Sequence, residues 1–163
     1  MACRGVFFAI TPAQAEALES AEDDDDLMAL VEEIEEAWEA DNVAECDKAW
    51  DAMHRSLTDG QLEYGNGPHP LSLCVLGPNQ LYEGDDYIVS LVSPSQVVEV
   101  STALQAITVE WFREQYRTVV PHDYAPEYGD DDMEYTWEWF QGVRELYAKA
   151  AARGRAIVFT VDQ

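Results

Sequence analysis

Basic side chains are scarce in this sequence. Two lysines and seven arginines stand against 33 Asp and Glu, giving a formal net charge of -24 over 163 residues. Affinity for nucleic-acid backbones comes from Lys and Arg displacing counterions, so direct binding to nucleic acid is excluded. Anionic membrane surfaces are disfavoured on the same ground. Long apolar runs are also missing. The longest, 6–10 and 156–161, fall far short of the roughly 20 residues that cross a bilayer, so no membrane span is expected. The N-terminus lacks the pattern of a secretory leader. Cysteine is limited to Cys3, Cys46 and Cys74, widely spaced and without a Cys-x-x-Cys pair. A disulfide framework or zinc site needs paired spacing, so reduced thiols in a cytoplasmic protein are expected. No His-Glu-x-x-His occurs, and His54, His69 and His122 are scattered. Glycines 60, 65, 67, 77 and 84 match no phosphate-binding fingerprint, so neither a metal nor a cofactor is expected.

What is present is material for a core. The chain is 47% hydrophobic and 11% aromatic, with five Trp, which sets it apart from a disordered acidic tail. Its length suits one domain spanning residues 1–163. The charge is unevenly spread. Residues 5–47 hold fifteen acids and no base, and 56–112 and 118–143 hold seven acids each, again with no base. Two acid runs, 23–26 and 130–132, precede helical patterns, where exposed N–H groups and the helix dipole stabilise carboxylates. The first of them lacks the alternating ligands, Gly and terminal Glu of a calcium loop.

Gly5–Ile10 (GVFFAI) reads as a buried strand and leads into Thr11-Pro12-Ala13-Gln14, a capping box with Pro at the first helical position. Ser93-Pro94-Ser95-Gln96 repeats the device after the strand-like Tyr87–Val92. A helix over 27–40 sets Leu30, Val31, Ile34 and Trp38 on one face, with Glu32, Glu33, Glu35, Glu36 and Glu39 around the rest. A second helix over 44–57 carries the stripe Cys46, Ala49, Trp50, Met53, His54 and Leu57. The Gly- and Pro-rich 58–81 is a loop with one turn near 71–75. Helices follow over 96–107 and 109–118, then a Tyr- and Pro-rich loop at 121–129. The longest helix, 132–153, closes on Gly154 before a final strand over 156–161, whose continuous apolar character places it centrally in a sheet. Strands at both ends and near the middle, with about five helices between, define an α+β domain. Its small sheet of about three or more strands packs against several helices, with 132–153 over one face.

The stretch Asp47-Lys48-Ala49-Trp50-Asp51-Ala52-Met53-His54-Arg55-Ser56-Leu57-Thr58, with Pro70-Leu71-Ser72 and Val75-Leu76-Gly77, resembles the YfbM-like family. These are small bacterial proteins classed as a domain of unknown function. The resemblance implies a YfbM-like α+β fold and no particular activity.

On a helix, Asp47, Trp50 and His54 share a face, and Asp51 lies one turn before Arg55. A His beside a carboxylate can serve as a general base, which makes His54 and Asp51 the candidate catalytic residues. Asp47, Trp50, His54, His69 and Ser72, with Asn66, are candidates to line a pocket under the 70–77 loop. The bland alternative is a buried His satisfied by backbone or acid, with Trp50 packed beside it. Trp137, Phe140, Arg144 and Tyr147 have helix-core spacing, with Arg144 expected to pair with a buried carboxylate. Tyr124, Tyr128 and Tyr135 offer a contact surface.

Two kinds of function fit. The first is a non-enzymatic acidic protein docking on a basic protein partner, as an immunity protein or nucleic-acid mimic would. Its surface would be the acidic face of Glu32, Glu35, Glu36 and Glu39. The second is a small-molecule-binding domain or enzyme using His54 with Asp47 or Asp51.

Overall fold

The computed structural model describes residues 3–77, 79–119 and 129–162. Strand β1 (Gly5–Ile10) passes straight into α1 (Pro12–Glu19). The Gln14 N–H donates to Thr11 Oγ1 (3.1 Å), and the Thr11 N–H donates back to Gln14 Oε1 (2.9 Å). Helix α2 (Asp24–Ala37) starts on Asp23, which accepts from the Asp26 N–H at 2.8 Å, with Asp24, Asp25 and Asp26 in its first turn. It ends at Trp38, held in the left-handed region at φ 35°. Strand β2 (Val43–Asp47), α3 (Trp50–Leu57), β3 (Tyr87–Val92), α4 (Pro94–Gln105), α5 (Val109–Thr118), α6 (Gly129–Arg153) and β4 (Ala156–Asp162) follow. The Ser93–Gln96 capping box at the start of α4 is formed in both directions.

The four strands run β2-β1-β4-β3, every neighbouring pair antiparallel. The last strand is therefore interior, as its apolar run implies. Helices cover both faces, and this explains why antiparallel strands lack the usual apolar–polar alternation. On one face Phe7, Cys46, Ile88, Ile157 and Phe159 pack with residues of α3, α4, α5 and α6. On the other, Phe8, Ile10, Val89, Leu91 and Val158 pack against Leu18 of α1 with Leu27 and Val31 of α2. Phe7 sits at the centre of the larger core, 4.8 Å from the Phe159 ring and 6.4 Å from Tyr147. Fully burying such a ring stabilises by about 1.5–3 kcal/mol.

The structure corrects the helix expected over 44–57. Residues 43–47 form the edge strand β2, and α3 begins only at Trp50. Ala44 and Cys46 point inward while Glu45 is exposed, a period of two. Asp47, at φ 46°, turns the chain, and the Ala49 N–H closes the turn on Cys46 O (2.9 Å). All six residues of the expected apolar stripe are buried. Strand and helix contribute to one core here, so burial was legible where the period was not. The helix expected at 109–118 restarts after α4 as a separate helix, capped by Thr108. Arg144 is also corrected. Its guanidinium donates to Leu104 O (3.1 Å) and Ile107 O (3.1 Å), and to Gln141 Oε1 (3.0 Å), rather than to a carboxylate. Leu104 O at the end of α4 and Ile107 O in the link to α5 supply the acceptors, and Trp137 and Phe140 lie beneath the cation. The loop expected at 121–129, with His122, Tyr124 and Tyr128, lies outside the described residues apart from Gly129, where α6 begins.

Candidate functional site

His54 is fully buried on α3. The Leu76 N–H donates to its Nδ1 (3.4 Å), so the proton sits on Nε2, 2.7 Å from Asn66 Oδ1. The orientation of Asn66 follows from acceptors that cannot donate. Its amide nitrogen faces the Asp59 carboxylate and Gln61 O (3.0 Å), leaving its oxygen for His54. Thr58 Oγ1 closes the group by donating to His54 O (2.7 Å). Burial lowers the His54 pKa, against the opposing hydrogen bond that its ring donates to Asn66. The Asn66 amide and the Gln61 N–H hold Asp59 below the usual carboxylate range.

The other candidates are spread apart. Asp51 pairs with Arg55 at 2.6 Å, and Arg55 reaches on to Gly60 O (3.0 Å). The Trp50 indole donates to Cys3 O (2.9 Å). Asp47 is on β2, not α3, where it accepts from the Tyr135 hydroxyl (2.6 Å) and lies 3.3 Å from Arg4 Nε. His69 is exposed beside Glu99 (3.3 Å). Ser72 is buried, its N–H on Pro68 O (3.0 Å). The geometry thus joins His54 to Asn66 and the 58–77 loop, leaving both ring nitrogens engaged. This arrangement fastens a loop to a helix. No group of His, Cys, Asp and Glu among the described residues is placed to hold a metal ion.

The acidic face divides. Glu32, Glu36 and Glu39 are exposed, with Glu39 accepting from Asn42 Nδ2 (2.7 Å). Glu35 turns toward the sheet, accepting from the Tyr87 hydroxyl (2.6 Å) and from Thr160 Oγ1 (3.1 Å). It is the member of the expected face that an approaching partner would not meet freely. Beside α2, Glu19, Glu22, Asp23, Asp24, Asp25 and Glu83 border an open recess of about 470 Å³.

Sequence reasoning missed a set of tyrosine–carboxylate bonds. Besides Tyr87–Glu35 and Tyr135–Asp47, the Tyr82 hydroxyl donates to Asp86 (2.7 Å) and Tyr116 to Asp132 (2.6 Å). The only signal in the sequence is indirect: many tyrosines in a chain poor in bases. Burial and the Asp47 carboxylate push Tyr135 up to about 12, and burial with Glu35 pushes Tyr87 higher still. A raised tyrosine pKa adds stability that is fully present below the unfolded value of about 10 and lost as pH rises through the folded value. Alkaline titration followed by circular dichroism should therefore show stability falling above pH about 10. Tyr135→Phe should flatten part of that fall and cost about 1 kcal/mol at neutral pH. An unchanged alkaline slope would remove Tyr135 from this account.

An antiparallel sheet between two helical layers, with a histidine-stapled loop along one of them, defines an α+β protein of the YfbM-like fold. Residues 1–160 match the family described as Domain of unknown function (DUF1877), and the chain belongs to that family. Among solved structures it is similar to the protein of unknown function YfbM from Escherichia coli, at 19% identity and a TM-score of 0.69. The match covers 97% of this chain and 99% of that one. No curated protein matches. Among the described residues no helix is long and apolar enough to cross a membrane.

Proposed function

We propose that this protein is a non-enzymatic binding module whose acidic surface docks on a basic protein partner. One observation carries the reading: among the described residues few carboxylates have a cation beside them. Among the described residues there are four ion pairs, three to arginine and one to His69, in a chain with 33 acids. Exposed carboxylates such as Glu32 and Glu36 leave a field that speeds the encounter with a positive surface, and salt weakens it. The commitments of His54, Asp47 and Asp51 to internal partners support the same reading, since none is left free to act on a substrate.

The test is retention of basic proteins from a lysate on the immobilised protein, at salt of about 50 mM and about 500 mM. Retention at low salt, lost at high salt and reduced by Glu32→Lys with Glu36→Lys and Glu39→Lys, is the expected result. No retained basic protein at either salt would sink the proposal.

A further inference from the structure

The two edges of the sheet are treated differently. Along β3 runs the segment 79–81, with the Leu81 N–H on Val89 O (3.0 Å) and the Leu91 N–H on Asn79 O (3.1 Å). At the opposite edge, β2 pairs with β1 on one side, and among the described residues no strand pairs with its other side. An unpaired edge presents a row of N–H and C=O groups that templates another strand.

Beside this open edge lies α6, and between them is a groove of about 360 Å³. Asp41, Glu45, Glu138 and Glu145 border it, against a single base, Lys149. Its floor on the helix is hollow, because a Cβ on Gly142 would meet nothing within 4 Å. Its wall is fixed. Trp139 stands edge-on to Tyr135 with ring centres 6.3 Å apart, and Tyr135 is tied by its hydroxyl to Asp47 of β2 itself. A side chain entering the groove meets a positioned aromatic surface and a vacant helix face, so little ordering is needed on this side.

The charge selects the occupant. A second copy of β2 would bring its own Glu45 and Asp47 against the same acids, and like charges across a strand pair are destabilising. A strand with lysine or arginine at alternate positions turns those side chains toward Glu138 and Glu145 on the α6 side, and its intervening apolar side chains alternate to the opposite face. We infer that the open edge of β2 and the α6 groove bind an extended basic segment of a partner protein by strand addition. The inference rests on the reading of the partner as basic, and adds how that partner is held.

The probe is a fluorescent peptide of about eight residues alternating lysine and valine, titrated into the whole protein by anisotropy at salt of about 50 mM. Its counterpart carries N-methyl groups on alternate backbone nitrogens, which keep the charge and remove the ladder donors. The parent peptide is expected to bind and to slow amide exchange at 43–47. The methylated peptide is expected to bind about ten-fold more weakly or worse. Gly142→Leu should weaken the parent peptide similarly by filling the groove. Its melting temperature should hold or rise, because leucine is the better helix former. Glu138→Lys with Glu145→Lys should weaken binding too. Equal binding of both peptides, or full binding by Gly142→Leu, overturns strand addition while leaving charge-driven docking intact. No binding of the parent peptide also overturns it, whereas docking as such stands or falls by the retention of whole basic proteins.

Discussion

His54→Ala is expected to lower the unfolding free energy by about 3–5 kcal/mol, measured by urea denaturation. Three losses combine. The substitution opens a cavity at a fully buried position, and leaves the Leu76 N–H without its acceptor and Asn66 Oδ1 without its donor. Asn66→Ala should cost less, since Asn66 is only partly buried. In a double-mutant cycle the two should couple, because each removes the same bond. A change in stability under about 1 kcal/mol for His54→Ala would show that the 58–77 loop does not hang on this residue. The pH dependence supplies a second signature. The folded pKa of His54 is depressed, so its contribution is present above the unfolded value of about 6.5 and lost as pH falls below it. Protonation of surface carboxylates acts oppositely by relieving repulsion, so the informative quantity is the difference between wild type and variant. That difference should shrink from pH about 7 downward.

Gly60→Ala is the other large effect expected. Gly60 has φ +89°, and an added Cβ would lie 1.9 Å from Val119 O and 2.7 Å from Val119 C, both backbone atoms. Neither strain is relieved by a rotamer change, so the loop or the end of α5 must shift. The expected cost is about 3 kcal/mol or more, a fall of roughly 6–12 °C in Tm for a chain of this size. Gly154→Ala is the control. It shares a positive φ, +67°, but its Cβ would meet nothing within 4 Å. Backbone strain alone then acts, at about 1–2 kcal/mol. Equal effects at the two positions, by thermal melts, would contradict the clash at Val119.

These two residues show where the sequence could and could not be read. Thr11 with Gln14 and Ser93 with Gln96 announce their helices because a capping box is a local device, complete within four residues. The end strands are readable because both faces of the sheet are covered, which leaves their apolar runs unbroken. By contrast β2 is only five residues long, with small residues inside, and it flows into α3. A period of two and a period of 3.6 look alike over so short a span. At the candidate site, the burial of His54 follows from its place in the apolar stripe. Its partners do not, since Asn66 and Leu76 lie 12 and 22 residues away in a loop without periodicity. The bond from Tyr135 to Asp47 spans 88 residues and leaves no trace in local spacing. The helix-core spacing of Arg144 was legible, and its side chain is partly buried. That it would serve the backbone rather than a carboxylate depends on where α4 ends in space.

The tyrosine hydroxyls that satisfy Glu35, Asp47, Asp86 and Asp132 do so as neutral donors. A lysine in the same place would cancel the carboxylate's monopole; a phenol leaves it intact and contributes only a short-range dipole. Carboxylates folded into the structure therefore still add to the potential felt at a distance. Ionic strength, which weakens pairs of full charges, leaves a neutral hydroxyl's bond in place. The protein can thus hold acids such as Glu35 and Asp132 in place without cancelling their charge.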